Sequence, residues 1–420
     1  MTIDFLDSSY LSDEGWVKTF ISMSGPHALN HHVGADMQIS PTVLLDVSNW
    51  LQILPGLKDQ SALGNIVSLL MYLSFILFIF FGQKIQVRLM LLEIDGTLKK
   101  LEFMKNDAKG LLFKTVRETG KPTVDPAGAL NRLLEQFLIS PVDMDPAGIV
   151  YKFDHLLDVR DTKFKDDVKS IAPAADEAQV NNLENLVEGA LALNTIYRIV
   201  RHFYLLGKKT SSFYIILQLQ MILPLVMQEA EALVGACKAF SQGQPIGDGV
   251  GPLIVSKLMR DKEKRKVEKD MVVAETLIEG RRVFLTKAEG PGGNVGKPGD
   301  AIRKLVEEQD GKISMIVMID AALKFEGEET GEMSEGIGAA IGGIGTERFK
   351  IEEEAQKFKI PVYAMIVKES IQEAILPMKK SIAESTDKVL SRIKDLVLER
   401  SKEGDAIIVA GIGNTIGVGQ

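Results

Sequence analysis

The residues predict an α/β fold carrying an additional all-α region and one transmembrane helix, with a mainly parallel three-layer sheet in the C-terminal domain. Three observations carry this. The run Leu63 to Phe81 holds no charged residue, and at about 1.5 Å per helical residue such an interval crosses roughly 30 Å of hydrocarbon. The middle of the chain repeats apolar residues at helical spacing. After Gly243 short apolar strands alternate with helical stretches, the pattern of a parallel α/β sheet.

The chain has 420 residues, more than one ordinary domain holds, and its 45% of hydrophobic residues supplies a core. A formal charge of -8 argues against a general nucleic-acid partner, which needs a basic face to displace phosphate counterions. Cys237 is the single cysteine, so no intrachain disulfide forms, and its apolar helical context marks it as a small buried hydrophobe.

Residues 1–62 show no sustained period and read as a short extracytoplasmic segment. His27, His31 and His32 sit among Gly25, Pro26 and Gly34; breakers so close deny the helix a metal pair needs, and ordinary surface histidines fit better. Residues 63–82 form the transmembrane helix. Before it stand Lys18 and Lys58 against seven acids; after it come Lys84, Arg88, Lys99 and Lys100. Basic residues stay on the cytoplasmic side. A single-pass protein of the cell membrane follows, its N-terminus outside and the rest cytoplasmic.

Residues 83–242 read as a cytoplasmic helical domain. From Gln83 to about Gly120 the span continues as a charged, broken helical stem. Asp125-Pro126-Ala127-Gly128 is echoed by Asp145-Pro146-Ala147-Gly148, a repeated helix-start signature. A long helix runs from about Ala175 to Leu206, with Leu183, Leu186, Val187, Ala190 and Leu191 on one stripe and Gly207 as its stop. Phe213 to Met227 competes as a second span, but Gln218, Gln220 and Pro224 interrupt it, favouring a buried or membrane-surface helix. Lys262 to Lys269 mixes both charge signs without aromatics and reads as a solvated linker helix.

The glycine cluster Gly243 to Pro252 opens the α/β domain, residues 243–420. Met271 to Ile278 and Arg281 to Ala288 flank Glu279-Gly280 as a hairpin. Next come strand Ile313 to Ile319, a helix around Glu347 to Phe358, strand Val362 to Val367, helices through Arg400 and strand Ala406 to Ala410. Ligands of such sheets collect at the strands' carboxyl ends.

Four candidate features fall there. Gly290 to Gly299 could cradle a phosphate with Gly292, Gly293, Gly296 and Lys297, although Pro291 and Pro298 stand where a P-loop needs glycine and a magnesium-binding hydroxyl; a structural turn is the other reading. Asp320, directly after its strand, could hold Mg2+ with Glu326 and Glu328 from the Glu-rich loop, or serve as a turn or cap. Gly336 to Gly345 suits a lid or close backbone packing. The last strand ends in Gly411-Ile412-Gly413-Asn414, and Gly411, Gly413 and Asn414 join the cofactor-binding candidates. That turn looks like the one opening peptidyl-tRNA hydrolases and hydrogenase-maturation peptidases, where it starts the domain; here it ends one, and no paired aspartates follow. The α/β domain contains no histidine, which weakens reactions relying on an imidazole base.

The apolar run, the E-G-P-G-G-N-V-G-K-P-G loop, I-D-A-A-L-K-F-E-G-E and G-A-A-I-G-G-I-G together resemble a family of uncharacterised archaeal membrane proteins over most of residues 63–420. The resemblance implies an archaeal, membrane-anchored protein with one N-terminal span and a C-terminal glycine-motif α/β domain, and it carries over no catalytic residues. Two functions stay open: a membrane-anchored cytoplasmic protein whose α/β domain binds a phosphorylated small molecule with a divalent metal, or a non-catalytic scaffold or docking module tethered to the membrane.

Overall fold

The computed structural model describes residues 62–137, 139, 148–343 and 345–419. The three N-terminal histidines and the echo at Asp145 to Ala147 lie outside them. The described residues divide into two compact units, one built from residues 62–99 and 199–224, the other from residues 100–198 and 225–419.

The smaller unit is helical. It contains the first part of α1 (Ala62–Thr115), the end of α4 (Glu177–Thr210) and the start of α5 (Phe213–Gln242). Val87, Met90, Ile94 and Leu98 of α1 are buried at intervals of three and four residues, the spacing that keeps one helix face inward. Gly207 of α4 lies against Ile216 of α5, and Gln220 Nε2 donates to Glu93 Oε2 at 2.6 Å. Earlier in α1, Ile66, Val67, Leu69, Leu70, Leu73 and Phe75 are all more than half exposed. The broken stem expected over Gln83 to Gly120 is instead unbroken helix to Thr115, closed by a π-turn over Val116–Gly120. The helix carries Gly96 and Gly110 in its interior, and among the described residues nothing lies within 4 Å of a Cβ at either; an isolated glycine costs a helix only about 1 kcal/mol. Among the described residues, α5 is long and apolar enough to cross a membrane by length and composition. One stripe of it, Ile216, Leu219, Leu223 and Val226, is buried.

The larger unit holds the remaining helices, α2 (Ala127–Leu133), α3 (Ile149–Ile171) and the inner parts of α4 and α5, together with the α/β region. Seven strands form one sheet: β1 (Lys264–Glu268), β2 (Met271–Ile278), β3 (Arg281–Ala288), β4 (Met315–Leu323), β5 (Met333–Ile337), β6 (Val362–Glu369) and β7 (Ala406–Gly411), ordered β1-β2-β3-β7-β4-β6-β5. The sheet is mixed, not mainly parallel. Pairings β3–β7, β7–β4 and β4–β6 are parallel, whereas β1–β2, β2–β3 and β6–β5 are antiparallel. The reason is connection length: a parallel crossover takes about a dozen residues or more, and neither the turns around β2 nor the segment 324–332 provides them. Glu279 and Gly280 both take positive φ, the geometry a two-residue hairpin turn needs to follow strand twist.

Helices α6 (Val250–Leu258) and α10 (Lys380–Arg400) cover one face; α7 (Pro298–Glu308) and α8 (Thr346–Phe358) cover the other, and the short α9 (Ile371–Ile375) follows β6. Strand β7 shows why three layers result. Ile407 and Val409 enter the α6/α10 core, while Ile408 and Ala410 enter the α7/α8 core. Central strands buried on both sides read as continuous apolar runs. Two expectations change here. Lys264–Glu268 is a strand and not part of a linker helix, because its backbone pairs with β2 and buries Val267. Glu335 and Gly336 belong to edge strand β5.

Candidate functional site

The strand order places β7 between β3 and β4, so the loops after β3 and β7 meet at the carboxyl ends of neighbouring strands, where open α/β sheets bind ligands. The two glycine loops are sewn together there. Thr415 N–H donates to Asn294 O (2.9 Å) and Gly417 N–H to Pro291 O (2.9 Å), while the Thr415 hydroxyl lies 2.8 Å from Gly292 O. Helix α4 closes the group. Asn182 Oδ1 accepts from Gly293 N–H at 2.8 Å; Asn185 Nδ2 donates to Gly293 O at 2.8 Å, and Asn185 Oδ1 accepts from Asn414 Nδ2 at 3.0 Å.

This packing explains two glycines. At Gly293 a Cβ would collide with the Asn185 amide, and at Gly413, whose φ of 127° already disfavours side chains, it would overlap the Asp248 carbonyl. Gly292 lies against Ala178, Gly296 against Met271 and Gly411 against Gly251. Lys297 is drawn to Asp158 of α3. Thus Gly292, Gly293, Gly296, Lys297, Gly411, Gly413 and Asn414 cluster in one part of the molecule. Their backbone donors, however, turn inward. The N–H groups of Gly293, Asn294, Gly296 and Gly299 go to Asn182, Thr415, Asn294 and Glu347 oxygens. The last of these puts a carboxylate on the N-terminal turn of α7, where an anion would otherwise sit.

Beside the sewn loops lies a cavity of about 320 Å³, walled by α3, α4, the β1–β2 turn, both glycine loops and the segment around Gly343. That is the size range of small-ligand sites. Eight carboxylates and four basic side chains line it. Three buried oxygens on its wall lack a hydrogen-bond partner among the described residues: Asn181 Oδ1, Glu184 Oε1 and Asp248 Oδ1. Burial pushes the Glu184 carboxyl up to about 8, with Lys165 opposing and Glu188 reinforcing the shift. Asp248 rises to about 7 through burial and the nearby Asp320, against a hydrogen bond from Asn414 N–H to its other oxygen (2.7 Å). Behind it Glu369, wholly buried and with neither oxygen partnered among the described residues, is raised well above the usual carboxylate range by burial and by Asp248 and Asp320.

The expected metal set does not assemble. Among the described residues no group of three or more His, Cys, Asp or Glu is placed to hold a metal ion. Asp320 lies fully buried within β4, whereas Glu326 is exposed on the following loop and Glu328 pairs with Lys368 at 2.7 Å. Sequence reasoning missed Asn181, Glu184, Asn185 and Asp248. The available signal was polar: Asn181, Glu184, Asn185 and Glu188 recur at helical spacing on one face of α4, opposite the stripe of Leu183, Leu186 and Val187, and buried amides require partners.

Among known families, the model described as the N-terminal domain of a protein of unknown function (DUF1512) matches residues 68–243. The C-terminal domain of unknown function (DUF1512) matches residues 246–419. No curated protein matches the chain.

Proposed function

We propose that this chain, which belongs to the DUF1512 family through both of its matched parts, is a membrane-tethered binding protein whose α/β domain takes a small ligand in the strand-end cavity. The observation that carries the binding role is the set of three buried, partnerless oxygens on one cavity wall. A buried polar group without a partner costs about 1–3 kcal/mol, and a ligand that satisfies it removes that cost. A phosphorylated ligand with Mg2+, expected from the glycine loops, is poorly served. Four loop N–H groups already donate inward, and Glu347 occupies the start of α7.

The tether is Leu63 to Phe81. Apolar side chains left bare along a helix turn favour lipid over water at about 25 cal/mol per Å², and the exposed residues from Ile66 to Ile76 form such a surface. We read α5 as a packed helix, since its apolar stripe is buried within the protein, and the protein as single-pass with its C-terminal domains cytoplasmic.

Two measurements test the proposal on the full-length protein. In sealed vesicles a C-terminal tag is expected to be protease-sensitive on the cytoplasmic side and the protein to resist alkaline extraction; release by alkali removes the tether. Mass spectrometry of gently purified protein is expected to recover a small molecule that Asn181→Leu, which puts an apolar side chain on the cavity wall, displaces. Recovery of the same molecule from that variant removes the cavity as its site.

A further inference from the structure

We infer that the cavity's ligand is a small organic cation, an amine or guanidinium presenting several N–H donors; this rests on the cavity being a binding site. The partnerless atoms set the polarity. All three are oxygens, and two belong to carboxyl groups that accept from any donor once ionised. The charge balance agrees. The lining holds twice as many carboxylates as basic groups, and three of the four basic groups are engaged: Lys297 with Asp158, Arg160 with Glu188 at 2.6 Å, and Lys165 between Glu177 and Asp270; the fourth, Lys269, is exposed on the β1–β2 turn. Among the described residues neither Glu184 nor Asp248 has an ion-pair partner, and Asp248 is more than nine-tenths buried. The N–H groups of Gly293, Asn294 and Gly296 on the lining are already committed within the protein and offer no donor to the ligand.

The groups facing Glu184 are Lys165 and Asp161 of α3, Glu188 of its own helix and Asp270 of the β1–β2 turn. One cation against three acids leaves a net negative surround. With burial, that surround holds a proton on Glu184 when the site is empty. An ammonium or guanidinium group supplies the missing positive charge, so the proton leaves as the ligand enters. Binding therefore strengthens as pH rises through the titration of Glu184.

Full-length protein in nanodiscs is titrated with putrescine, agmatine and spermidine, and separately with inorganic phosphate, ATP, MgCl2 and CaCl2, following thermal stability and calorimetric heat. The expected result is a raised Tm with an amine and an affinity that climbs roughly tenfold or more between about pH 6 and pH 8. Glu184→Gln is expected to keep the fold, since the amide matches the protonated acid in shape, to weaken amine binding about tenfold or more, and to flatten the pH dependence. Asp248→Asn weakens it independently, while Glu326→Gln, on an exposed loop, leaves it unchanged. Stabilisation by phosphate or a divalent ion with inert amines overturns this inference and leaves the cavity a binding site. Amine affinity that both Glu184→Gln and Asp248→Asn leave intact also overturns it. No shift with any compound overturns the cavity reading as well.

Discussion

Asp248 accepts a hydrogen bond through one oxygen and keeps the other, buried, on the cavity wall. Its proton affinity makes a testable sign. In the unfolded chain it ionises near 3.8, in the folded protein near 7, so between these values the native state binds the extra proton. Its stabilisation is complete below about pH 4 and is lost as pH rises to about 7, on the order of a few kcal/mol. Thermal melts across that window are expected to show a shallower decline for Asp248→Asn than for the wild type, and an unchanged slope contradicts the assignment. Gly413 gives a second prediction. Gly413→Ala forces a Cβ into the Asp248 carbonyl at a φ that L residues rarely adopt, and a loss of about 2–3 kcal/mol in denaturant unfolding is expected. The residues that make this site were only partly visible in the sequence. Glycines advertise tight turns, so the two loops stood out; a buried carboxyl such as Glu184 or Asp248 is marked by its surroundings, which one sequence does not display.

At the scale of elements, Lys350 joins three helices of the larger unit. Its ammonium lies 2.9 Å from Asp154 of α3, 2.8 Å from Asp300 of α7 and 2.7 Å from Glu347 of α8, and these partners hold it protonated. Lys350→Met leaves three carboxylates facing one another, and a loss of about 3 kcal/mol is expected, read as a lowered denaturant midpoint. A stability equal to the wild type shows that the helices are held by apolar packing alone. The strands reveal what local pattern does and does not carry. The hairpin strands Met271–Ile278 and Arg281–Ala288 are those read from alternation and turn residues, because both signals are local. Strand β4 instead continues through Asp320 to Leu323. A charged residue reads as a strand's end; here it pairs in register with Ile366 of β6 and is covered by the fold.

For the whole molecule, the tether hypothesis predicts a clean change of compartment. Leu70 and Leu73 are exposed apolar positions within the uncharged run, and replacing both by Arg costs insertion about 2.5–3.5 kcal/mol each near a helix centre. The double variant is expected in the alkali-soluble fraction of fractionated cells, and its retention in the pellet argues that other segments hold the protein to the membrane.

The sequence by itself determined what depends on neighbours along the chain: the long uncharged run, the helical stripes, the hairpin, the alternation of strands and helices, and the glycine turns after β3 and β7. Only the tertiary structure decided which strands run antiparallel, that the two glycine loops bind each other and α4, and that Asn181, Glu184 and Asp248 share a cavity though far apart in the chain. The physical reason is that periodicity and turn propensity are set by nearby residues, whereas burial, and with it the proton affinity of a carboxyl group or the partnering of an amide, is set by segments that meet only in the fold.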